Sequence, residues 1–291
     1  MSHWTTGELI DDGFYCTPSA DVQPLSPTVL QYWGLFASPF APPLPLNQPL
    51  TPNEFYFRSA AHAACLSWLQ NLASDSAEMG VITTSSGAGT TTFLRQLCSS
   101  AGIGGTAIAP SMAHWTNQSL DQLKIELDYR SSLNRTGQHV RSLWVVRTSP
   151  PSRLRPTPNR MALLHGWRAA RAAELKNVSI VIVVRRTASI SRCLAADMCP
   201  KSHHLFRLGS HELRRCLAAA LHHAGGVRPI FTVSAVTHLA DTAGGSIRRL
   251  GTLVHAALLH GHLAGLRQIS HADLCMRLNQ SQPVTEQARA A

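Results

Sequence analysis

Five short strand candidates, interleaved with helical stretches and followed by none after residue 210, constrain this chain more than any other feature of its sequence. The candidates are MGVITT (79–84), TAIA (106–109), SLWVV (142–146), SIVIVV (179–184) and HLFRL (204–208). Helical periodicity lies between them, in TTFLRQLCSS (91–100) and near 119–128 and 159–175. Strand, helix, strand at this spacing predicts an α/β body with a parallel sheet covered by helices. A further helix is expected from about Phe55, where Ala60, Ala64, Leu66, Leu69 and Leu72 give one apolar face. After Ser210 the pattern is helical throughout, in four stretches separated by Gly, Pro or Ser, and Ser210 and Ser270 read as N-caps. The expected organisation is an irregular Pro/Ser-rich lead-in over 1–50, an α/β body over 51–209, a small all-helical domain over 210–280 and a flexible tail over 281–291.

With 291 residues, 44% of them hydrophobic, the chain has enough apolar surface for a real core, which excludes a disordered or fibrous protein. The longest apolar run, Val178–Val184, is too short to cross a bilayer. No secretory leader is visible, and the seven cysteines are scattered without a CxxC, so a reduced cytoplasmic protein is expected. The histidine clusters 203/204, 222/223 and 255/260/262 lack an acid or cysteine at matched spacing, and no metal site is expected in the chain. GxSxG is absent.

The net charge of +10 is concentrated. Residues 129–228 hold eighteen Arg and Lys against Glu174, Asp197 and Glu212, while the rest of the chain is net acidic. Such a region attracts phosphates. An Arg- and Ala-rich composition follows equally from base composition. Arg153, Arg155 and Arg160 in SPPSRLRPTPNR, with Arg168 and Arg171 on the next helix and Trp167 beside them, are the candidate nucleic-acid contacts.

The first strand runs into a glycine turn and a helix opening on Thr-Thr, the place for a phosphate loop. The full signature, GxxxxGK[ST], cradles phosphates on backbone N–H groups, neutralises charge with its lysine and holds magnesium with its hydroxyl. The window here is Thr84-Ser85-Ser86-Gly87-Ala88-Gly89-Thr90-Thr91. Gly89 and Thr91 match the signature; Thr84 replaces its first glycine and Thr90 its lysine. A plain Gly-Ala-Gly turn ahead of a helix accounts for this window equally well.

Four further segments, in order, resemble one family. Tyr32-Trp33-Gly34-Leu35 with Ser38-Pro39-Phe40 is similar to the "YGL…PF" opening of the ExeA (general secretion pathway protein A) family of AAA+ ATPases. Phe55-Tyr56 with Ser59, Ala61, His62 and Ala64 resembles its "FY.S..H..AL" helix. MGVITTSSGAGTTTFLRQL is similar to "GVVTGEVGTGKTTLLRAL", and Arg228–Thr232 with Ala243–Arg249 to the lid's "RPLFT…SGGIPRRIN". The resemblance covers roughly residues 30–278. It implies a P-loop NTPase (AAA+) fold, a three-layer parallel-sheet body followed by a small helical lid. By the same resemblance Thr84, Ser85, Ser86, Gly87, Ala88, Gly89, Thr90, Thr91 and Thr92 form the nucleotide loop, and Arg248 matches the lid's sensor arginine.

The departures from that family concentrate on catalysis. Where it carries an acidic "DE" pair, the strand runs into Arg147-Thr148. Arg185 and Arg186 stand where a small polar sensor is expected, and Lys201-Ser202-His203-His204 replaces the "LRQRI" arginine region. Losing lysine and both acids together removes groups that act as a unit. The expected function is therefore a non-hydrolysing, ATPase-like interaction module of ExeA type, binding ATP or ADP weakly and no magnesium. Its expected partner is a protein, an active AAA+ paralogue or a second copy of itself. Two alternatives stand beside it: an ATP-hydrolysing AAA+ protein with a displaced catalytic set, and a DNA-binding accessory protein like the transposition AAA+ proteins of the TnsC kind.

Overall fold

Residues 79–84 are buried along their whole length, as a strand covered on both faces requires, and they form an inner strand of a five-stranded parallel sheet. The computed structural model describes residues 24–40, 54–74, 79–99, 108–115, 141–148, 178–185 and 201–280, with Ile125, Gly166 and Ala169. The strands are β1 (Met79–Thr84), β2 (Ile108–Trp115), β3 (Arg141–Thr148), β4 (Val178–Arg185) and β5 (Lys201–Leu205), in the spatial order β2-β3-β4-β1-β5. β1 pairs with β4 in the register Met79↔Ile180 and with β5 in the register Gly80↔Lys201. β4 reads as one unbroken apolar run because both its faces are covered, with Ser179 to Val184 all buried.

Two strands differ from expectation. β2 begins at Ile108, two residues into TAIA, and runs on to Trp115, because its length follows β3, with which it pairs from Ile108↔Arg141 to Trp115↔Thr148. β5 lies over the polar Lys201–Leu205, three residues before HLFRL, because register with β1 decides its place. Phe206, read as strand interior, is 59% exposed beyond its end.

Helix α1 spans Pro27–Trp33, α2 spans Ala60–Ser74 and α3 spans Thr90–Ser99. α2 begins five residues after Phe55 because Ser59 caps it, its hydroxyl accepting the His62 N–H at 3.1 Å. It lies so close to β1 that a Cβ on Gly80 would meet the Trp68 ring at 2.7 Å. α2 and α3 close the body core with Leu69, Leu72, Phe93, Leu94 and Leu97 against Ile82, Val145, Val181 and Val183. Ile125, Gly166 and Ala169 are helical, within the two helices expected there. The rest of those helices, and the proposed tail, lie outside the described residues.

The C-terminal helices are α4 (Ser210–His223), α5 (Val233–Ala243), α6 (Ile247–Leu263) and α7 (His271–Gln280). Ser270 caps α7 reciprocally: its N–H and hydroxyl donate to Asp273, whose N–H donates back to the Ser270 hydroxyl. Ser210 instead falls inside α4, one residue after its cap at Gly209. A parallel bridge between Phe231 and Ile269 ties the α4–α5 linker to the α6–α7 linker, a strand-like contact within the helical part.

The lead-in departs from expectation as well. It contains α1, capped by Ser26, opened by Pro27 and closed by Gly34 in the left-handed conformation at φ 68°. Seven residues show too little periodicity to announce a helix, and packing decides it. Val29, Trp33 and Leu35 enter the same apolar core as Leu217, Leu239, Leu250, Val254 and Leu258. The Trp33 indole N–H donates to the Leu258 carbonyl at 2.9 Å, and its ring occupies the space a Cβ on Gly261 would need.

Candidate functional site

The loop from Ser85 to Gly89 leaves the carboxyl end of β1, where the chain crosses over to reach β2 at the far side of β3 and β4. Ligand crevices in open parallel sheets form at such switch points. Gly87 and Gly89 both have positive φ, 80° and 78°, conformations that bend successive N–H groups toward one side and favour glycine. Phe93 N–H donates to the Gly89 carbonyl at 2.9 Å, continuing α3 from the loop. The first N–H groups of α3 have no partner within the helix, as at every helix start, and point toward any anion held there.

Each loop residue has a definite place. Thr84 donates its hydroxyl to the Val184 carbonyl at 3.4 Å, so this side chain ties β1 to β4. Ser86 is exposed; Ala88 is fully buried; Thr90, Thr91 and Thr92 are half-buried on the first turn of α3. Backbone for Arg147 and Thr148 ends β3, one strand removed from β1, with Arg147 opposite Val183 of β4. Arg185 pairs with Thr84 across the β1–β4 ladder. Arg153, Arg155, Arg160, Trp167, Arg168, Arg171 and Arg186 lie outside the described residues.

Two histidines hold the loop in place, neither of them assigned a role from sequence. His62 on α2 is 2% exposed, with Nε2 3.0 Å from the Ala88 carbonyl and Nδ1 3.2 Å from the Phe57 carbonyl. Its ring stacks between Tyr56 and Phe93. A neutral imidazole satisfies one of the two carbonyls and the cation both. Burial nevertheless holds His62 below the usual histidine range, against the opposing pull of the Ala88 and Phe57 carbonyls and of Glu212. His204 on β5 meets the Thr83 hydroxyl at 2.6 Å with Nδ1 and the Ser85 hydroxyl at 3.3 Å with Nε2. Loop and histidines are 26 and 119 residues apart, and local periodicity carries no signal over that distance.

The lid helix α6 starts against the loop. Ile247 N–H donates to the Gly87 carbonyl at 3.0 Å, and the Ser246 side chain lies where a Cβ on Gly87 would stand. The Ser246 hydroxyl caps α6 by accepting the Arg249 N–H at 3.2 Å. Arg207, in the segment joining β5 to α4, donates Nε to the Ser86 carbonyl at 3.1 Å and is the cation nearest this turn in the hydrogen-bond pattern of the described residues. Gly244 and Gly245, both at positive φ, fold the α5–α6 turn onto the same segment, with Leu208 N–H donating to the Gly245 carbonyl. Arg248 is exposed on the first turn of α6, with no side-chain hydrogen bond or ion pair to another described residue. Loop and lid are thus in direct contact, and the sequence-predicted Arg248 stands one residue beyond that contact.

No known protein-family profile matches the chain. No curated protein matches it in sequence. Solved structures do match. The Orc1 protein of Aeropyrum pernix, in complex with DNA, aligns at a TM-score of 0.53 and 15% identity over 79% of this chain and 66% of its own. Cdc6p of Pyrobaculum aerophilum aligns at 0.53 and 14% identity over 75% and 66%. RuvB of Thermotoga maritima aligns at 0.50 and 14% identity over 78% and 70%. The chain therefore spans just under two thirds of the length of the first two. At these identities the likeness concerns the fold alone. The fold of this chain is that of the AAA+ P-loop ATPases.

Proposed function

We propose that this protein is an AAA+ ATPase-like module of ExeA type that binds a nucleotide without hydrolysing it and signals occupancy through its lid. The observation that carries the reading is the hydrogen bond from Ile247 N–H, at the start of the lid helix, to the Gly87 carbonyl of the loop. Whatever enters the loop alters the surface on which the lid rests.

The loop suits a phosphate in part. The space that side chains on Gly87 and Gly89 would need is taken by Ser246, Ile247 and His62, so the glycines let the lid and α2 approach the loop backbone, and the α3 N-terminus favours negative charge. Thr90 supplies no cation where the signature has lysine. Magnesium fits poorly: it takes oxygen ligands that include carboxylates, and β3 ends on Arg147 and Thr148. Large apolar side chains stand exposed just beyond α1 and in the lid, with Phe36 74%, Val227 95% and Leu263 75% accessible, which favours a protein partner such as an active relative or a second copy.

Calorimetric titration with ATP and ADP, with and without magnesium, tests the reading alongside a phosphate-release assay. Binding that is indifferent to magnesium, with no turnover, is expected. Magnesium-dependent phosphate release that disappears in Thr91→Ala would overturn it in favour of a working ATPase.

A second reading, a DNA-binding accessory role, is favoured by the basic stretch over 129–228 and by the likeness to a protein solved on DNA. Salt-sensitive binding lost on charge reversal of Arg153, Arg155 and Arg160 would support it, because phosphate contacts release counterions.

A further inference from the structure

The α4–α5 and α6–α7 linkers are bridged at Phe231 and Ile269, so helices α5 and α7 start side by side. Thr232 N–H donates to the Ile269 carbonyl at 2.9 Å and Ile269 N–H to the Ile230 carbonyl at 2.8 Å, which fixes that register. Two turns into α5 stands His238, and on α7 stand His271 and Cys275, four residues apart and hence on one helix face. One ligating atom from each of these three residues lies within 4.8 Å of the others. Sγ of Cys275 is 3.3 Å from Nε2 of His271, and the two imidazole rings meet edge to face with centroids 4.7 Å apart.

The decisive atom is Nε2 of His238. It is buried, and among the described residues it has no hydrogen-bond partner. A buried polar nitrogen without a partner has lost its solvation uncompensated and calls for an explanation. The same imidazole has a ring nitrogen within 4.8 Å of ligating atoms of a thiol and a second imidazole, two further donors of a soft-metal site. Around tetrahedral zinc, with bonds of about 2.1 Å to nitrogen and about 2.3 Å to sulfur, neighbouring nitrogen and sulfur ligands stand about 3.6 Å apart. The Cys275–His271 separation is already close to that edge.

We infer that His238, His271 and Cys275 form a zinc site in the lid, holding the ion through two imidazole nitrogens and one thiolate with a fourth position open to water. The donor set has no oxygen, which disfavours calcium and magnesium and suits zinc. Binding exchanges the thiol proton for the metal: the S–H bond breaks, a Zn–S bond forms, one proton leaves to solvent, and both imidazoles bind as neutral rings. The site staples α7 to α5 and uses none of the phosphate-loop residues, so it stands apart from the nucleotide reading. Among the described cysteines, Cys65 and Cys216 are fully buried, with their thiols pushed up to about 12 by burial, whereas Cys275 is partly exposed. Entry of the ion from solvent is therefore open at Cys275.

The test is titration of the full-length reduced protein with cobalt(II) alone as a spectroscopic stand-in, then displacement with zinc. One cobalt per chain is expected, with the intense visible bands of four-coordinate cobalt and a thiolate charge-transfer band, both abolished by zinc. Cys275→Ser should remove the charge-transfer band and weaken binding at least tenfold, and His271→Gln should weaken it comparably. Zinc should raise the thermal midpoint of the wild-type chain by more than that of Cys275→Ser at the same concentration. Both residues are at least partly exposed, so these variants are expected to fold, which far-ultraviolet dichroism checks. A cobalt spectrum of six-coordinate type without a thiolate band overturns the inference. So does a thiolate band that survives in Cys275→Ser, which assigns the metal to another of the seven cysteines.

Discussion

Arg95 is a cation 2% exposed on α3, six residues after Gly89, and its guanidinium grips both carboxylate oxygens of Glu54 at 2.7 and 2.8 Å. The pair fixes the segment leading into α2 against the helix that the loop opens. Removing one partner of such a pair leaves a buried charge to be solvated, which costs about 3–5 kcal/mol. Glu54→Gln should lower the unfolding free energy by that order, read from urea denaturation. His62 makes a pH prediction. Its ordinary value is 6.5, and burial depresses it in the folded state. Below pH 6.5 the unfolded chain takes up a proton that the native chain refuses, so the His62 contribution to stability is complete above 6.5 and declines as pH falls toward the depressed value. The decline is at most about 1.4 kcal/mol per pH unit. His62→Gln should flatten that acid limb of the stability–pH curve; an unchanged slope would show that other groups set it.

Among the elements, α1 depends most on its surroundings. Seven residues are far too few for a helix to persist alone in water, so its stability comes from Trp33, 7% exposed in the core it shares with the four C-terminal helices. Trp33→Ala should cost about 3–5 kcal/mol by thermal or denaturant unfolding, with α1 released from α6. The same dependence explains what the sequence disclosed and what it withheld. β1 and β4 were legible because burial on both faces leaves a continuous apolar run, and the cap at Ser270 lies where serine precedes a helical pattern. β5 was misplaced because Lys201–His204 carries no apolar signature and its register is set by β1. α1 escaped notice because its driving contact is to Leu258, 225 residues away. Of the site, the loop glycines were legible. His62, His204 and the trio His238, His271 and Cys275 were not, because each is assembled from separate elements by tertiary packing.

At the scale of the whole molecule the charge of +10 acts on the folded state as self-repulsion, most strongly over 129–228. Raising ionic strength from about 10 mM to about 150 mM shortens the screening length from about 30 Å to about 8 Å. The thermal midpoint should rise over that range, and a flat or falling midpoint would show that attractive pairs balance the excess. The sheet places the Ser85–Gly89 loop between the body core and the lid, and α1 returns from the front of the chain to complete the lid core. That return has a consequence for how the protein comes into being. A ribosome adding roughly 5–20 residues per second needs about 10–45 s to pass from Trp33 to Leu258. Throughout that interval the indole and its apolar neighbours have emerged without the surface that receives them. A nascent chain of this protein is an obvious client for a holding chaperone at its first forty residues, long before the lid exists to claim them.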